Sequence, residues 1–402
     1  MRSVTIIGAG PAGLSAARVL REGGLRDVLV LERNPEAGGL PRFAAHPGWG
    51  MLDFHRFWSG PTYARRLVEA AEGVEIRTDH SVVALHENAT IEVNGPSGTS
   101  RIESRAVLIA TGIREASRAA RLLSGSRPWG VVSTGAFQEM VYRGGSRPFR
   151  RPIVLGTELV SFSALLTARH AGIKVQAMVE PGERITARRP GDLIARYLLG
   201  IPVRTRTRLV RIEGVDRVTG VVVEQDGREE RISCDGVILT GDFLPEAALL
   251  RAGHLAVDPA TGGPVIDSSW RCSDPTYFAA GNLLRPVEHS GAAALEGRRA
   301  AAAILKALRG ELPSPVDAVA VRPGTALRYI YPQRLLPSED GVTLFARARQ
   351  HCTGTLRILS GNRILVEKRV KVLPERRLTL RLPAEAGRQA RERGEDITVE
   401  IA

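Results

Sequence analysis

The residues that most constrain this chain lie near its beginning, where Gly8-Ala9-Gly10-Pro11-Ala12-Gly13 reads G-x-G-x-x-G. An apolar run, Val4 to Ile7, comes directly before them, and an alanine-rich helical stretch, Leu14 to Arg21, comes directly after. In this context the first glycine allows a tight turn, the second admits a pyrophosphate to the backbone, and the third lets helix and strand pack closely. The sequence therefore predicts a dinucleotide-binding βαβ unit.

Two neighbouring features support this interpretation. Pro11 falls in the first helical turn, where its preset φ favours the helix and its missing N–H is not needed. The helix N-terminus then offers unpaired N–H groups and a partial positive charge to phosphates. A second apolar run, Asp27 to Leu31, ends in Glu32, where a carboxylate can accept hydrogen bonds from both ribose hydroxyls. The order of these elements favours a nucleotide site over a simple glycine-rich turn.

A second βαβ pattern lies in the middle of the chain, with the apolar run Ile153 to Leu155, a helical stretch to His170, and a strand from Lys174 that ends in Glu180. Its glycine fingerprint is degraded, because Glu158 stands where the second glycine would admit the pyrophosphate. A carboxylate about 4 Å from a phosphate charge costs roughly 4 kcal/mol at an effective dielectric of about 20. We therefore expect NADH and NADPH to bind only weakly, and NAD(P) is not an expected cofactor.

Composition indicates a multi-domain globular protein, since 402 residues with 43% hydrophobic side chains allow two or three cores. A net charge of +13 could indicate nucleic acid or an anionic surface. The excess is almost entirely arginine, and arginine runs such as residues 147–151 match no nucleic-acid-binding motif. We therefore expect no nucleic-acid partner.

The cysteines exclude some redox chemistry. Cys234, Cys272 and Cys352 are far apart and form no Cys-x-x-Cys, so neither a redox disulfide nor an iron–sulfur or other metal site is predicted. Glycines interrupt the apolar run that imitates a secretory signal, and no uncharged stretch approaches the roughly 18 residues of a membrane span. We expect a cytoplasmic protein without a transmembrane segment.

The run from Gly8 to Ala17, with Glu32-Arg33 and then Gly38-Gly39-Leu40, resembles flavoproteins with two dinucleotide-binding domains, the class that includes thioredoxin and glutathione reductases. The resemblance implies an α/β fold with two Rossmann-like domains, the second inserted in the first, and FAD at the first site. In this class the chain returns to the flavin twice, which residues 107–112 and 276–282 match. The cofactor-binding residues that it implies are Gly8, Gly10, Pro11, Ala12, Gly13, Glu32, Arg33, Gly39, Leu40, Arg42, Val82, Ala110, Thr111, Gly112, Gly281, Asn282, Ser290, Gly291 and Ala292.

At the second return this class usually has Asp after the glycine, to bind a ribityl hydroxyl, whereas this chain has Asn282. An amide oxygen can still accept that hydrogen bond. The alanine-rich stretch Ser290 to Ile304 is predicted to be a helix whose N-terminus faces the pyrimidine end of the isoalloxazine. Its dipole favours an anionic reduced flavin by roughly 0.3 to 2 kcal/mol and so raises the reduction potential.

Three further segments, residues 38–42, 46–51 and 60–67, resemble a narrower family. It comprises the FAD-binding alpha subunits of multi-subunit bacterial dehydrogenases, such as opine oxidase, hydroxyproline dehydrogenase, dye-linked proline dehydrogenase, hydrogen cyanide synthase and the flavoproteins associated with anaerobic glycerol-3-phosphate dehydrogenase. The likeness covers about residues 1 to 310 and includes Asn282. It implies a small-molecule substrate and, as partner, a second dehydrogenase or iron–sulfur subunit. Many members carry a cysteine cluster that this chain lacks.

After a linker at Pro313-Ser314-Pro315, short β runs alternate with turns and predict a small antiparallel sandwich. They are Leu327 to Tyr331, Val342 to Ala348, Thr355 to Leu359, Arg363 to Val372, Arg376 to Leu382 and Ile397 to Ile401. We expect an FAD domain from residues 1–120 and 255–313, an insertion at 121–254 and a C-terminal β domain at 318–402. Docking to a partner and simple stabilisation are both open as roles of the last domain.

Arg42, His46 and His289 are the candidate catalytic residues, because each is expected near the flavin and can orient a substrate carboxylate, act as a base or polarise the flavin. Each is equally compatible with a structural hydrogen bond. The leading hypothesis is an FAD-dependent oxidoreductase subunit of a heteromeric dehydrogenase, with an acceptor other than NAD(P). The alternatives are a stand-alone NAD(P)H-dependent flavoprotein reductase and a non-catalytic, FAD-containing assembly subunit.

Overall fold

The computed structural model describes residues 1–187, 200–338 and 340–402. Within these ranges the protein is an α/β structure with one mixed sheet, which has parallel central strands, and one all-parallel sheet, followed by a mainly β segment. None of the described helices combines the length and the apolar character that a bilayer crossing needs. Across the same ranges, no group of three or more His, Cys, Asp or Glu side chains is arranged to hold a metal ion.

The first part of the chain builds most of the first sheet. Its elements are β1 Arg2–Ile7, α1 Pro11–Glu22, β2 Val28–Leu31, β3 Pro47–Trp49, β4 Trp58–Ser59, α2 Gly60–Ala70, β5 Glu75–Arg77, β6 Ser81–His86, β7 Thr90–Gly95, β8 Gly98–Ile109 and β9 Ile113–Glu115. The strand order is β5-β2-β1-β8-β7-β6. Strands β1, β2 and β8 are parallel, and Ile7 lies opposite both Leu31 and Ile109. Their carboxyl ends therefore reach the same edge of the sheet, where ligands of open α/β sheets bind.

The middle of the chain forms a second sheet. Its elements are β10 Ser124–Gly125, β11 Val131–Ser133, α3 Thr134–Tyr142, β12 Pro152–Leu155, α4 Leu159–His170, β13 Met178–Val179, β14 Val203–Arg204, β15 Thr207–Gly214, β16 Val218–Gln225, β17 Arg228–Ser233, β18 Gly236–Leu239, β19 Phe243–Pro245 and α5 Ala248–Ala252. The second sheet has the all-parallel order β11-β18-β12-β13-β14, which confirms the second βαβ pattern, although the strand predicted from Lys174 begins only at Met178. A separate four-stranded sheet has the order β10-β15-β16-β17, in which β15, β16 and β17 are antiparallel. Strands β9 and β19 pair as an antiparallel ribbon where the chain leaves and re-enters the first unit.

The last part of the chain returns to the first sheet and then forms a β-rich segment. Its elements are β20 Tyr277–Ala279, α6 Ser290–Leu308, β21 Val319–Pro323, β22 Leu327–Tyr331, β23 Arg334–Leu335, β24 Val342–Ala348, β25 Cys352–Ser360, β26 Arg363–Val372, β27 Arg377–Leu382, α7 Ala384–Glu392 and β28 Ile397–Ile401. Strand β20 pairs in parallel with β8 and so completes the first sheet. Helix α6 packs on α1 at a glycine, because a Cβ on Gly297 would lie 2.0 Å from the carbonyl oxygen of Ala12.

Residues 319–402, here called the C-terminal module, form two sheets with the orders β23-β21-β28-β25-β26 and β22-β24-β27. The predicted strand runs are confirmed, with small shifts at their ends. The module is not purely β, since α7 follows β27, and it is not purely antiparallel, since β21 and β28 run in parallel. Sequence alternation missed β21, β23 and α7, which are short or continue a polar stretch.

Candidate functional site

The glycine turn between β1 and α1 is packed against both later returns of the chain. A Cβ on Gly8, whose φ is +106°, would lie 2.5 Å from the carbonyl oxygen of Ala110. A Cβ on Gly281 would lie 2.7 Å from the Cβ of Ala12. The structure therefore brings together three segments that are more than a hundred residues apart in sequence, and it leaves no room for side chains where they meet.

The N-terminus of α1 has the form of an anion site. Gly10 is its N-cap residue, Pro11 is its first residue, no side chain caps it, and no acidic residue lies in its first turn. Among the residues that the structure describes, a Cβ on Gly10 would meet only the Cα of Gly39 within 4 Å, at 3.9 Å. The first N–H groups of a helix have no intrahelical acceptor. This end of α1 thus fits a pyrophosphate, and the Gly38-Gly39 turn lies beside it as predicted.

Glu32 at the end of β2 is buried, with 6% of its surface exposed. One carboxylate oxygen accepts a hydrogen bond from the backbone N–H of Ala9 at 3.0 Å. The other accepts from the backbone N–H of Asn34 at 3.0 Å and from its side-chain Nδ2 at 2.7 Å. Since a carboxylate has about four acceptor sites, the protein leaves one for a ribose hydroxyl. The contact of Glu32 with both hydroxyls stays a prediction, and Asn34 is a site residue that sequence reasoning missed.

The first turn of α6 carries an unusual set of buried polar atoms. His289 caps the helix, because its Nδ1 accepts from the backbone N–H of Gly291 at 3.1 Å. Nearby, Trp49 Nε1, Asp53 Oδ1 and Ser290 Oγ are buried without a hydrogen-bond partner among the described residues. Buried polar groups in proteins are nearly always paired. Two donors and an acceptor left open beside a helix N-terminus fit the polar edge of an isoalloxazine ring, and Trp49 and Asp53 were not predicted.

Asn282 is engaged within its own loop. Its Oδ1 accepts from the backbone N–H of Glu288 at 3.0 Å and from Arg285 Nη1 at 3.3 Å, while its Nδ2 donates to the carbonyl oxygen of Glu288 at 3.0 Å. An aspartate could not make the last bond, because a carboxylate does not donate. This explains why an amide stands at this position. The ribityl contact stays a prediction, and it would have to share or replace one of these bonds.

Arg42 stabilises the Gly38-Gly39 turn. Its side chain is only 8% exposed, its Nε donates to the carbonyl oxygen of Gly39 at 3.2 Å, and its guanidinium lies 5.0 Å from the ring centre of Phe43. Its charge is paired with Glu36 at 3.3 Å, and Glu36 also pairs with Arg143, the C-cap residue of α3, at 2.9 Å. The structure thus gives Arg42 a structural role, and its contact with flavin or substrate stays a prediction.

His46 joins the first unit to the second. Its Nδ1 donates to the carbonyl oxygen of Pro47 at 2.9 Å, and its Nε2 accepts from the hydroxyl of Ser163 on α4 at 2.5 Å. Ser163 in turn accepts from Gln138 Nε2 at 2.6 Å. Burial lowers the pKa of His46, which agrees with a neutral imidazole in this chain of hydrogen bonds. Both ring nitrogens are therefore occupied, and its catalytic role stays untested.

The remaining predicted cofactor residues lie around the same edge. Thr111 donates to the carbonyl oxygen of Glu246, and Gly112 has a φ of +75°. Leu40 is half exposed, whereas Arg33 is 63% exposed at its side chain and lies 3.8 Å from Glu246. Two further groups complete the set, Val82 on β6 and the first turn of α6 with Ser290, Gly291 and Ala292.

In the second sheet, Glu158 is the N-cap residue of α4 and lies beside the glycine turn that follows β12. Its carboxylate accepts hydrogen bonds from the hydroxyls of Ser161 and Thr240, both at 3.1 Å, at the start of α4. A Cβ on Gly156 would lie 2.5 Å from Oε2, and a Cβ on Gly241 would lie 2.4 Å from Oε1. Burial raises the pKa of Glu158. The carboxyl group thus lies over the glycine turn itself.

Glu180, at the end of β13, is also satisfied by the protein. It is 7% exposed and accepts hydrogen bonds from the hydroxyl of Thr157, from the backbone N–H of Gly182 at 2.8 Å and from the hydroxyl of Thr186 at 3.3 Å. An acid in this position would hold a nucleotide ribose in an intact site. Here its acceptors are directed at the surrounding loop.

The cysteines do not form a redox pair. Cys234 and Cys272 are buried, and Cys352 is partly buried. Burial raises the pKa of Cys234 to about 11 and raises the pKa of Cys272 further. These two thiols stay protonated at neutral pH and are poor nucleophiles.

Comparisons with known proteins agree with this geometry. The chain is 29% identical to the alpha subunit of sarcosine oxidase from Rhizobium meliloti (strain 1021) over 339 residues, covering 79% of this chain and 31% of that subunit. It is 26% identical to the A subunit of opine oxidase from the same organism, covering 79% of this chain and 73% of that subunit. The chain therefore spans about a third of the sarcosine oxidase subunit that it resembles.

The fold is that of thioredoxin reductase. The crystal structure of the T. acidophilum enzyme superposes with a TM-score of 0.64 and 23% identity, covering 76% of this chain and 98% of that one. Residues 2–297 match the family described as pyridine nucleotide-disulphide oxidoreductase, which is more than half of the chain. That the glycine turn, the two returns and the helix N-termini at the first sheet hold the FAD stays a prediction. This chain belongs to the pyridine nucleotide-disulphide oxidoreductase family of FAD-dependent flavoproteins.

Proposed function

We propose that this chain is the FAD-containing subunit of a heteromeric dehydrogenase, which passes two electrons from a small oxidisable substrate or a partner subunit to an acceptor other than NAD(P). The observation that carries the second half of this proposal is the position of Glu158. Its carboxylate lies on the glycine turn of the second nucleotide fold, within contact of Gly156 and Gly241.

Two effects of Glu158 oppose nucleotide binding. The first is occupancy, because the carboxylate already accepts the hydroxyl donors of Ser161 and Thr240 at the start of α4. The second is charge, since an ionised carboxylate about 4 Å from a phosphate costs roughly 4 kcal/mol at an effective dielectric of about 20. That corresponds to a loss of about a thousandfold in affinity.

The first half of the proposal is supported by the FAD site and by the relatives. FAD would supply two-electron chemistry when bound, and the glycine turn and the helix N-termini at the edge of the first sheet would hold it. Two relatives are named as subunits of sarcosine oxidase and opine oxidase, and the likeness to each covers 79% of this chain. On this proposal, the chain acts together with a partner subunit, and the substrate of the complex is a small amine or opine-like molecule.

Anaerobic mixing of the FAD-loaded protein with NADH or NADPH tests the proposal. We expect the flavin absorbance to remain oxidised with either nucleotide, and calorimetry to show no micromolar binding. Chemical reduction by dithionite is the control that shows the flavin to be reducible. Rapid bleaching by NADH or NADPH would support the stand-alone reductase instead. A flavin that no donor reduces, even in the reconstituted complex, would support the non-catalytic assembly role.

A further inference from the structure

The C-terminal module contacts the loop that carries the second flavin return. We propose that the C-terminal module is part of the flavin site, and that Arg347 on β24 is a positioning residue that holds the loop from Asn282 to His289 in place for the flavin. This goes beyond the proposed function, because it concerns how the chain holds its cofactor rather than which donor or acceptor it uses.

The central contact is the ion pair between Arg347 and Glu288. The two atoms, Nη2 of the arginine and Oε1 of the glutamate, are 2.5 Å apart, and the side chains are only 13% and 15% exposed. The same guanidinium lies 3.5 Å from the carbonyl oxygen of Val287. A charged hydrogen bond of this kind, shielded from solvent, is stronger than an ion pair on the surface. Arg347 of the module therefore contacts both a backbone carbonyl group and a side-chain carboxylate of this loop.

Hydrogen bonds connect Glu288 to the residues that are predicted to lie beside the flavin. Asn282, directly after the glycine of the second return, binds both the N–H and the carbonyl oxygen of Glu288 at 3.0 Å. His289 follows in sequence and caps α6 by accepting from Gly291. Displacement of Glu288 therefore moves the residue after Gly281 on one side and the cap of α6 on the other.

A second, fully buried cluster ties the same loop to the module. Arg285 forms two hydrogen bonds with Glu296 of α6, at 2.7 and 2.8 Å, and donates to the carbonyl oxygen of Gly281 at 2.6 Å. Arg285 has no exposed surface, and Glu296 has 2%. From the module, Arg377 approaches Glu296 at 3.3 Å and the hydroxyl of Tyr331 donates to it at 3.2 Å. Two residues of the module, Arg377 and Tyr331, thus contact the same Glu296 carboxylate that binds Arg285 of the loop.

Apolar packing shows that this contact is extensive. Three aromatic residues of the module belong to the same buried core as the end of the first sheet and the 3-10 helix that follows β20. This core includes Tyr329, Tyr331 and Phe345 of the module together with Val107, Tyr277, Leu283 and Leu284 of the first unit. The module also reaches the second unit, where Glu375 accepts two hydrogen bonds from Arg184, each at 2.9 Å.

Four variants of the full-length protein test the proposal, namely Arg347→Met, Arg347→Lys, Glu288→Gln and the control Arg357→Met. Arg357 forms an ordinary cross-strand pair with Glu367 at 2.8 Å on the same module, with side chains 36% and 48% exposed. For each protein we would measure the FAD dissociation constant, the flavin absorbance spectrum, the two-electron midpoint potential and the thermal unfolding midpoint of the FAD-free form.

We expect Arg347→Met and Glu288→Gln to weaken FAD binding by about tenfold to a hundredfold, the range that corresponds to one charged hydrogen bond. Both should also shift the midpoint potential and the flavin spectrum. Arg347→Lys, which keeps the positive charge, should lose less FAD affinity than Arg347→Met. The FAD affinity of Arg357→Met should stay within about twofold of wild type. If Arg347→Met only lowers the unfolding midpoint while FAD affinity and potential stay at the wild-type values, the module is a stabilising appendage and the proposal is wrong. If Arg347→Met does not fold, the near-isosteric Glu288→Gln decides between the same two outcomes.

Discussion

Replacing Glu158 by glycine should restore nucleotide binding to the second fold. The substitution removes a carboxylate that lies 2.5 Å from the Cβ position of Gly156 and 2.4 Å from that of Gly241, and it returns the glycine that admits a pyrophosphate. The hydroxyls of Ser161 and Thr240, which now donate to this carboxylate at 3.1 Å, would be released toward the phosphates.

The expected gain depends on pH. A fully ionised carboxylate at about 4 Å costs a bound phosphate about a thousandfold in affinity at an effective dielectric of about 20. Burial raises the pKa of Glu158, so the charge penalty in the wild-type protein decreases as the pH falls. We therefore expect Glu158→Gly to gain about a hundredfold or more at alkaline pH and less at acidic pH. Glu158→Gln, which keeps the volume and removes the charge, should gain less.

Isothermal titration calorimetry with NADH at several pH values is the appropriate assay. The control is Glu139→Gln, which removes an exposed carboxylate from α3 of the same unit. If Glu158→Gly binds NADH no better than wild type at any pH, the carboxylate is not what disables the second fold, and the electrostatic argument fails.

The same pKa shift predicts an effect on stability. The folded-state pKa of Glu158 lies above the unfolded value, so the stability that is present below the unfolded pKa is lost as the pH rises through the folded pKa. Glu158→Gln should therefore raise the thermal midpoint at neutral pH. The difference from wild type should vanish below an unfolded pKa of about 4.3. A midpoint for Glu158→Gln equal to or below that of wild type at neutral pH would contradict this.

Three further predictions follow from single contacts. Gly8→Ala should abolish FAD retention, because the new Cβ would lie 2.5 Å from a carbonyl oxygen. The control Gly24→Ala, at a glycine with a similar φ but nothing within 4 Å, should retain FAD and lose about 1 kcal/mol of stability. Equal FAD content in the two variants would refute the clash. Burial lowers the folded-state pKa of His46, so wild-type stability should fall as the pH drops below about 6.5. His46→Gln should flatten that slope and the exposed His55→Gln should not; parallel unfolding profiles would contradict this. Asn282→Asp loses the donor to Glu288 and should weaken FAD binding by about tenfold, which fluorescence titration would measure and an unchanged dissociation constant would refute.

The sequence predicted the parts of this fold that depend on local spacing. The segment Gly8 to Gly13 forms the turn after β1 and the start of α1, because this short stretch contains every residue that the motif requires. The degraded second fingerprint is likewise visible in the sequence, because Glu158 stands where an intact fingerprint has glycine. That it weakens nucleotide binding stays a prediction. The two returns could be placed only by resemblance to other flavoproteins.

Pairings across long distances were not predictable from spacing. His46 meets Ser163, 117 residues away, and Glu288 meets Arg347, 59 residues away. Nothing in the local pattern of either partner specifies the other, because such contacts depend on how separate units pack. For the same reason the hydrogen bonds of the Asn282 amide across its own loop were not predictable, and its ribityl contact stays a prediction.

The carboxylate of Glu158 is tethered beside the helix end that it occupies, so its effective concentration there is far above that of any dissolved metabolite. Proteins that bind a free nucleotide gain stability in proportion to the logarithm of its concentration. On the proposed function, the unit that contains the second sheet carries its own anion, and its stability does not depend on the concentration of a free nucleotide. Its folding and its contacts with the C-terminal module would then be insulated from changes in the cell's nicotinamide pool.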